Sequence, residues 1–217
     1  VLVELIVAMI AAVILGAVIV LMMQVSMGQA ARVSDGVNAA RRGRLALATI
    51  IGEMHNSCVA PRIAPVGAGS GANRLLIISG SGAGASAGAA ETVSLHEITL
   101  VRGTLRDTSY ASTGTRPGSQ WEFARSGTTR TLATGLSAVG RTPVFQYFAY
   151  GSGAELQSAP LPSPLSSAAA LEVSAVTVTF TAAPQSATGS LGRAFILVDT
   201  GVLRQPSTTP GESAPCA

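Results

Sequence analysis

Val1-Leu2-Val3-Glu4-Leu5-Ile6-Val7-Ala8-Met9 opens an apolar run that continues to Met23 and contains one polar side chain, Glu4. As a helix rising about 1.5 Å per residue, residues 1–23 span roughly 35 Å, enough to cross a bilayer. A cleaved secretory signal is not expected here. The apolar run is too long, no basic stretch precedes it, and no small-residue cleavage site closes it. A plain membrane anchor explains the length but not the acid near its start, because a carboxylate in hydrocarbon is costly without a partner.

Helical character continues past Met23. No proline occurs before Pro61, and Val33, Val37, Ala40, Leu47, Ile51 and Met54 recur at spacings of three, four or seven. That recurrence predicts one apolar stripe on a helix whose other face carries Arg32, Asp35, Arg41, Arg42 and Arg44. A single helix over 1–57 would be about 85 Å long, with its first half (1–23) apolar all round and its second half (24–57) amphipathic. The first half then needs other apolar helices around it, and the second needs a domain on one side.

The opening residues closely resemble the mature N-terminus of type IV pilins and pseudopilins. In that family a prepilin peptidase cuts after a glycine, the new first residue is N-methylated, and Thr or Ser followed by Leu-Val-Glu-Leu comes next. Glu4 sits one place earlier than the family pattern. The resemblance therefore implies that the family's first residue precedes Val1, and that Val1 takes the place usually held by Thr or Ser. It also implies a homo-oligomeric helical filament in which Glu4 pairs with a neighbour's N-terminal amine and sets axial register. Val1, Leu2, Val3, Leu5 and the other apolar side chains would supply cohesion. The alternative for Glu4 is an acid lying near the membrane interface. Expected partners are the prepilin peptidase, the pilus assembly machinery and the cytoplasmic membrane before assembly, with a cell-surface filament as the final location.

Gly16, Gly28, Gly36, Gly43 and Gly52 fall inside the predicted helix, and each costs up to about 1 kcal/mol relative to Ala. Two readings stay open: close helix–helix approach in a bundle, or local unwinding on assembly, for which Gly16 among Val13, Ile14, Val18 and Ile19 is the weak point.

Composition changes after Ser57. Pro61, Pro65 and Gly67 stop the helix, and Gly, Ser and Thr rise. Strands are predicted at Arg74–Ser79, Thr92–Val101, Leu105–Tyr110, Gln120–Arg125, Thr128–Leu132, Val144–Tyr150, Leu171–Thr181 and Arg193–Leu203, with hairpin turns at Arg102-Gly103 and Ser126-Gly127. The expected fold is α+β, with the amphipathic half of the helix packed against an antiparallel sheet of a globular domain, 58–217. Leu95–Arg106, Pro143–Phe148 and Val202-Leu203-Arg204 loosely resemble J-type minor pseudopilins and related minor pilins. That likeness leaves a bulk pilin and a minor pseudopilin or initiator both open, for a type II secretion or DNA-uptake pseudopilus. A membrane-tethered binding domain that never polymerises also stays open.

All fourteen basic residues are arginines. Without lysine there is no phosphate-loop lysine, no Schiff base and no isopeptide cross-link. No arginine cluster exceeds Arg41, Arg42 and Arg44, so no specific nucleic-acid site is evident. Cys58 and Cys216 suit one disulfide in an exported chain. It would close a loop of about 160 residues, worth at most about 5 kcal/mol by chain entropy. Gly84-Ala85-Ser86-Ala87-Gly88 fits a nucleophile-elbow pattern but lies in a low-complexity run without the helix that should follow. His55 with Cys58 offers only two ligands, too few for zinc. His96 reads as a rim side chain of its strand, and Glu122 and Glu155 have no recognisable acid–base companion. Ser207, Thr208 and Thr209, and the stretch Thr108–Thr115, have the composition of O-glycosylated loops. No catalysis, metal or cofactor is expected.

Overall fold

The computed structural model describes residues 2–57, 64–81, 92–116, 120–151, 155–184 and 194–203. Val1, Cys58, Cys216, Ser86 and Ser207-Thr208-Thr209 lie outside these residues, and with them the proposed disulfide, the nucleophile-elbow pattern and the C-terminal glycosylation sites. The chain has an α+β fold with a pilin-like layout, a long N-terminal helix lying on antiparallel β-structure.

Helix α1 runs unbroken from Leu2 to His55, about 80 Å at 1.5 Å per residue. The lack of proline permits this length. The alanines of its second half lower the cost of a helix that carries several glycines. Every residue from Leu2 to Ser34 is exposed, and the first buried position is Gly36. This is the only helix among the described residues long and apolar enough to cross a membrane.

The buried face of α1 consists of Gly36, Ala39, Gly43, Ala46, Leu47, Ile50 and Met54. This corrects the expected stripe: Leu47 and Met54 are inside and Ile51 packs at the rim, but Val33 and Val37 are 66% and 61% exposed. The large side chains at this contact come from the sheet instead. Phe195 lies against Gly36, and a Cβ at Gly43 would meet Leu197 Cδ1, Ala182 Cβ at 3.2 Å and Phe180 Cε2 at 3.5 Å. From the sheet side, a Cβ at Gly201 would collide with Met54 and approach Ile51 Cδ1 at 3.2 Å. Two of the helix glycines thus allow close approach to the chain's own sheet, a use the sequence reading did not consider. Gly16, Gly28 and Gly52 face open space.

The β-structure is two sheets rather than one. The first contains β1 (Arg74–Ser81), β2 (Thr92–Val101), β3 (Thr104–Arg116), β4 (Gln120–Phe123) and β5 (Thr128–Thr134). The β2–β3 hairpin turns at Arg102 (φ +49) and Gly103 (φ +77), the left-handed pair a tight two-residue hairpin needs. Ser126-Gly127 is not a hairpin turn. Strands β4 and β5 do not pair with each other; both lie along β3, at Ser112–Arg116 and Thr104–Ser109 respectively. Between them, Gly127 passes so close to β3 that a Cβ would sit 2.8 Å from Ser109 O. The long β3 also takes in the stretch Thr108–Thr115, read from composition as a loop.

The second sheet contains β6 (Leu136–Ser137), β7 (Phe145–Ala149), β8 (Val173–Ala182) and β9 (Phe195–Val202). Strand β8 is central, with β9 on one side and both β6 and β7 on the other. A six-residue helix α2 (Ser167–Glu172) precedes β8, and the Ser166 hydroxyl caps it by accepting from Ala169 N. One core joins α1 to both sheets through Ile50, Met54, Leu75, Ile77, Ile98, Leu105, Phe145, Tyr147 and Phe180.

Gly201→Ala is expected to destabilise the domain by about 1–3 kcal/mol, the usual cost of forcing an extra carbon into a packed contact. Gly52→Ala, in open space, should be neutral or stabilising by up to about 1 kcal/mol. Denaturation of the detergent-solubilised chain measures both.

Candidate functional site

Two places in the fold concentrate unusual chemistry, and α1 carries one at each end. At the first turn stands Glu4, exposed like its neighbours Leu2, Val3 and Leu5. The surrounding surface is hydrocarbon on every side of the helix as far as Met27, interrupted only by short polar side chains near its end. At the last turn, about 75 Å away, Glu53 reaches the first sheet.

The sheet face beneath Glu53 changes character along its strands. Leu75 and Ile77 on β1, Ile98 on β2 and Leu105 on β3 are fully buried in the core. Continuing by twos, the same face presents Ser79, then His96 and Ser94, then Asp107 and Ser109. Strand alternation therefore carries a polar group into a covered position. His96 is 8% exposed and Asp107 1%, which corrects the reading of His96 as a rim residue.

The geometry is a closed network. Asp107 accepts from His96 Nδ1 at 3.0 Å through Oδ1. Its Oδ2 accepts from Arg130 Nε at 2.9 Å, and Arg130 Nη2 lies 2.8 Å from the same oxygen. Arg130 Nη2 also reaches Glu53 Oε1 at 3.3 Å, while Ser79 Oγ donates to Glu53 Oε2 at 3.0 Å. His96 Nε2 lies 3.0 Å from Ser94 Oγ and 3.7 Å from Glu53 Oε2. Elements α1, β1, β2, β3 and β5 each contribute a side chain. A cavity of about 400 Å³ opens beside the network, lined also by Asn56, Gly80, Ser109 and Thr128.

Electrostatics follows from this arrangement. Burial works to lower the His96 pKa, but the Asp107 hydrogen bond and the carboxylates of Glu53 and Asp107 outweigh burial and the opposing Arg130 charge. The imidazole is held above its ordinary 6.5. Burial likewise works to raise Asp107, and the His96 hydrogen bond and charge, with Arg130, outweigh it and hold the carboxyl below 3.8. With His96 doubly protonated the four charged groups sum to zero. On losing that proton they carry a net negative charge in a largely covered site, which is unfavourable.

Two chemistries suggest themselves. Glu53, His96 and Asp107 bring one donor atom each within 4.8 Å of one another, but the Arg130 guanidinium already supplies a cation that the two carboxylates share. Ser94, His96 and Asp107 follow the order of a Ser-His-Asp relay, a constellation the sequence reading did not find. While His96 keeps both ring protons, which the network favours, it cannot take one from Ser94. Ser94 also sits inside a strand paired on both sides, opposite Ser79 and Ala111. The strand's amides are committed to those ladders, away from any developing oxyanion. The signal for the cluster was present in the sequence: pairing outward from the Arg102-Gly103 turn sets Ile98 opposite Asp107 and puts His96 diagonally next to it. Glu53 and Arg130 gave no such signal, because only the tertiary fold brings α1 and β5 there.

Compared with known proteins, the chain matches no family model and no curated protein.

Two outcomes follow for the network. Asp107→Ala should cost on the order of 3 kcal/mol, because it strands His96 and Arg130 without their shared carboxylate. The pH profile has two limbs. The raised His96 contributes stability that is complete below its unfolded value, 6.5, and is lost as pH rises through the native one. The lowered Asp107 contributes stability present above 3.8 and lost as pH falls through its native value. Thermal unfolding should therefore show a plateau between these values, with a decline on either side.

Proposed function

We propose that this chain is a structural subunit of a type IV pilus-like filament, held together by α1 and without catalysis of its own. One observation carries the reading. The apolar half of α1 is wholly unpacked, while its other half is already committed to its own domain. At about 1.5–3 kcal/mol for each large apolar side chain covered, such a surface is unstable in water. Lipid covers it before assembly, and the same helices from other copies cover it in the filament.

The resemblance at residues 1–9 supports the finer features: processing by a prepilin peptidase, N-methylation, and a final location on the cell surface. Glu4 sets register through a neighbour's amine, and Leu2, Val3 and Leu5 supply cohesion with the apolar residues beyond them. The rigid continuity of α1 from Glu4 to Glu53 transmits that register to the domain outside the filament core. A minor, initiating subunit uses the same assembly chemistry, and the J-type likeness favours it over a bulk pilin. Failure of the isolated chain to form filaments, with incorporation only alongside another subunit, would distinguish the minor role.

Glu4→Ala is expected to leave the protein in the membrane fraction and to eliminate filaments in electron micrographs. Normal filaments from that variant would overturn the role given to Glu4. The Ser94–His96–Asp107 alignment raises a second reading, a tethered hydrolase. A fluorophosphonate probe should leave Ser94 unlabelled, and labelling lost in Ser94→Ala would revive that reading.

A further inference from the structure

We infer that Glu53, His96, Asp107 and Arg130 form a proton-operated latch that fastens the last turn of α1 to the first sheet. It is closed when His96 carries two ring protons and loosened when it carries one. The inference is independent of the filament reading and stands on the geometry of the contact.

Among the described residues, Glu53 is the one charged side chain of the last helical turns that reaches the sheet, and its partners come from three different strands. Ser79 on β1 donates to Oε2, Arg130 on β5 lies at Oε1, and His96 on β2 faces Oε2 at 3.7 Å. Asp107 on β3 holds both His96 and Arg130 in place. Among the described residues, these are the titratable and charged groups facing the imidazole. Arg74, Glu97 and Tyr110 bond to one another from positions that alternate onto the opposite face of the sheet.

In the doubly protonated state, His96 Nδ1–H donates to Asp107 and Nε2–H is available to Ser94 Oγ and to the field of Glu53. Removing one proton leaves Nδ1–H with Asp107, its stronger acceptor. Nε2 then presents a lone pair towards the Glu53 carboxylate. The Ser94 hydroxyl can rotate to donate to Nε2, but nothing replaces the lost positive charge beside Glu53. What remains is one hydroxyl and an arginine at 3.3 Å whose side chain is 54% exposed, and a solvated ion pair of that kind is weak. The adjoining backbone depends on this fastening. Ser57 bridges to Ser79, and Gly80 N donates to Asn56 O at 3.0 Å, so the turn after α1 is joined to β1 directly beside Glu53. The Gly43 and Gly201 contacts lie on the other sheet and contain no titratable group, so the second sheet keeps its grip on α1 when the latch loosens.

Hydrogen exchange on the full chain in detergent micelles tests this, expressed as protection factors so that the pH dependence of intrinsic exchange cancels. As the pH rises through the His96 ring's own midpoint, read by NMR on the same sample, the amides of Asn56, Ser57 and Gly80 should lose about fivefold or more in protection, as local opening does, while Val178 and Phe180 on β8 stay unchanged. His96→Gln should remove the pH dependence, and His55→Gln, altering an exposed histidine outside the network, should retain it. Equal protection of the three amides below and above that midpoint would overturn the latch. So would an equal loss at Val178 and Phe180, or pH dependence that survives in His96→Gln. Should that variant fail to fold, the wild type decides by NMR: the Ser57 and Gly80 amide shifts must titrate with the His96 ring, and amide shifts that ignore the ring's midpoint overturn the proposal.

Discussion

The close approach of α1 to β9 is the contact on which the rest of the structure depends. It needs a missing side chain on each partner, Gly43 on the helix and Gly201 on the strand. With both absent, Leu197 and Phe180 rise against the helix from below, and Met54 and Ile51 come down on the strand from above. This fixes which face of α1 is inside, and so directs Glu53 onto the first sheet while leaving Val33 and Val37 outward. A helix packed one residue's rotation away would bury the two valines and turn Glu53 from its partners.

The two ends of α1 place a carboxylate in different surroundings. Glu53 is surrounded by its own chain, with a hydroxyl, a guanidinium and an imidazole within reach. Glu4 stands on a helix whose apolar surface the globular domain does not touch. In the proposed filament both acids work by the same physics, since a charge in a poorly hydrated place is tolerated only beside its opposite. At one end the partners shown come from the same chain; at the other the filament reading adds a neighbour's amine. One continuous helix, Leu2–His55, links the two sites.

Much of the architecture was legible. Unbroken hydrophobicity and the delayed first proline announced α1 to within two residues of its end. Strand-forming runs between turn residues located all the longer strands, although the alternating stretch Val173–Phe180, which reads as half-buried, is buried at nearly every position as the central strand of its sheet. Pairing was less legible. The β2–β3 hairpin was visible, since Arg102-Gly103 is a local turn with a local cause. The Ser126-Gly127 turn was misread because two consecutive strands on one edge of a longer strand leave the same local pattern as a hairpin.

The amino-acid sequence by itself determined the local and periodic features: a helix long enough to span a membrane, its single early acid, and the places of the longer strands. Each follows from the preferences of residues a few positions apart. Only the tertiary structure decided which face of α1 is buried and where the charged network forms, because both depend on groups distant along the chain. A glycine adds nothing to an apolar stripe read from sequence, yet Gly36 and Gly43 are buried, since the volume they leave is filled by Phe195 and Leu197 from some 150 residues away. Asp107 and His96 are near neighbours across a hairpin, but Glu53 and Arg130 complete their charge balance only once helix and sheet have met.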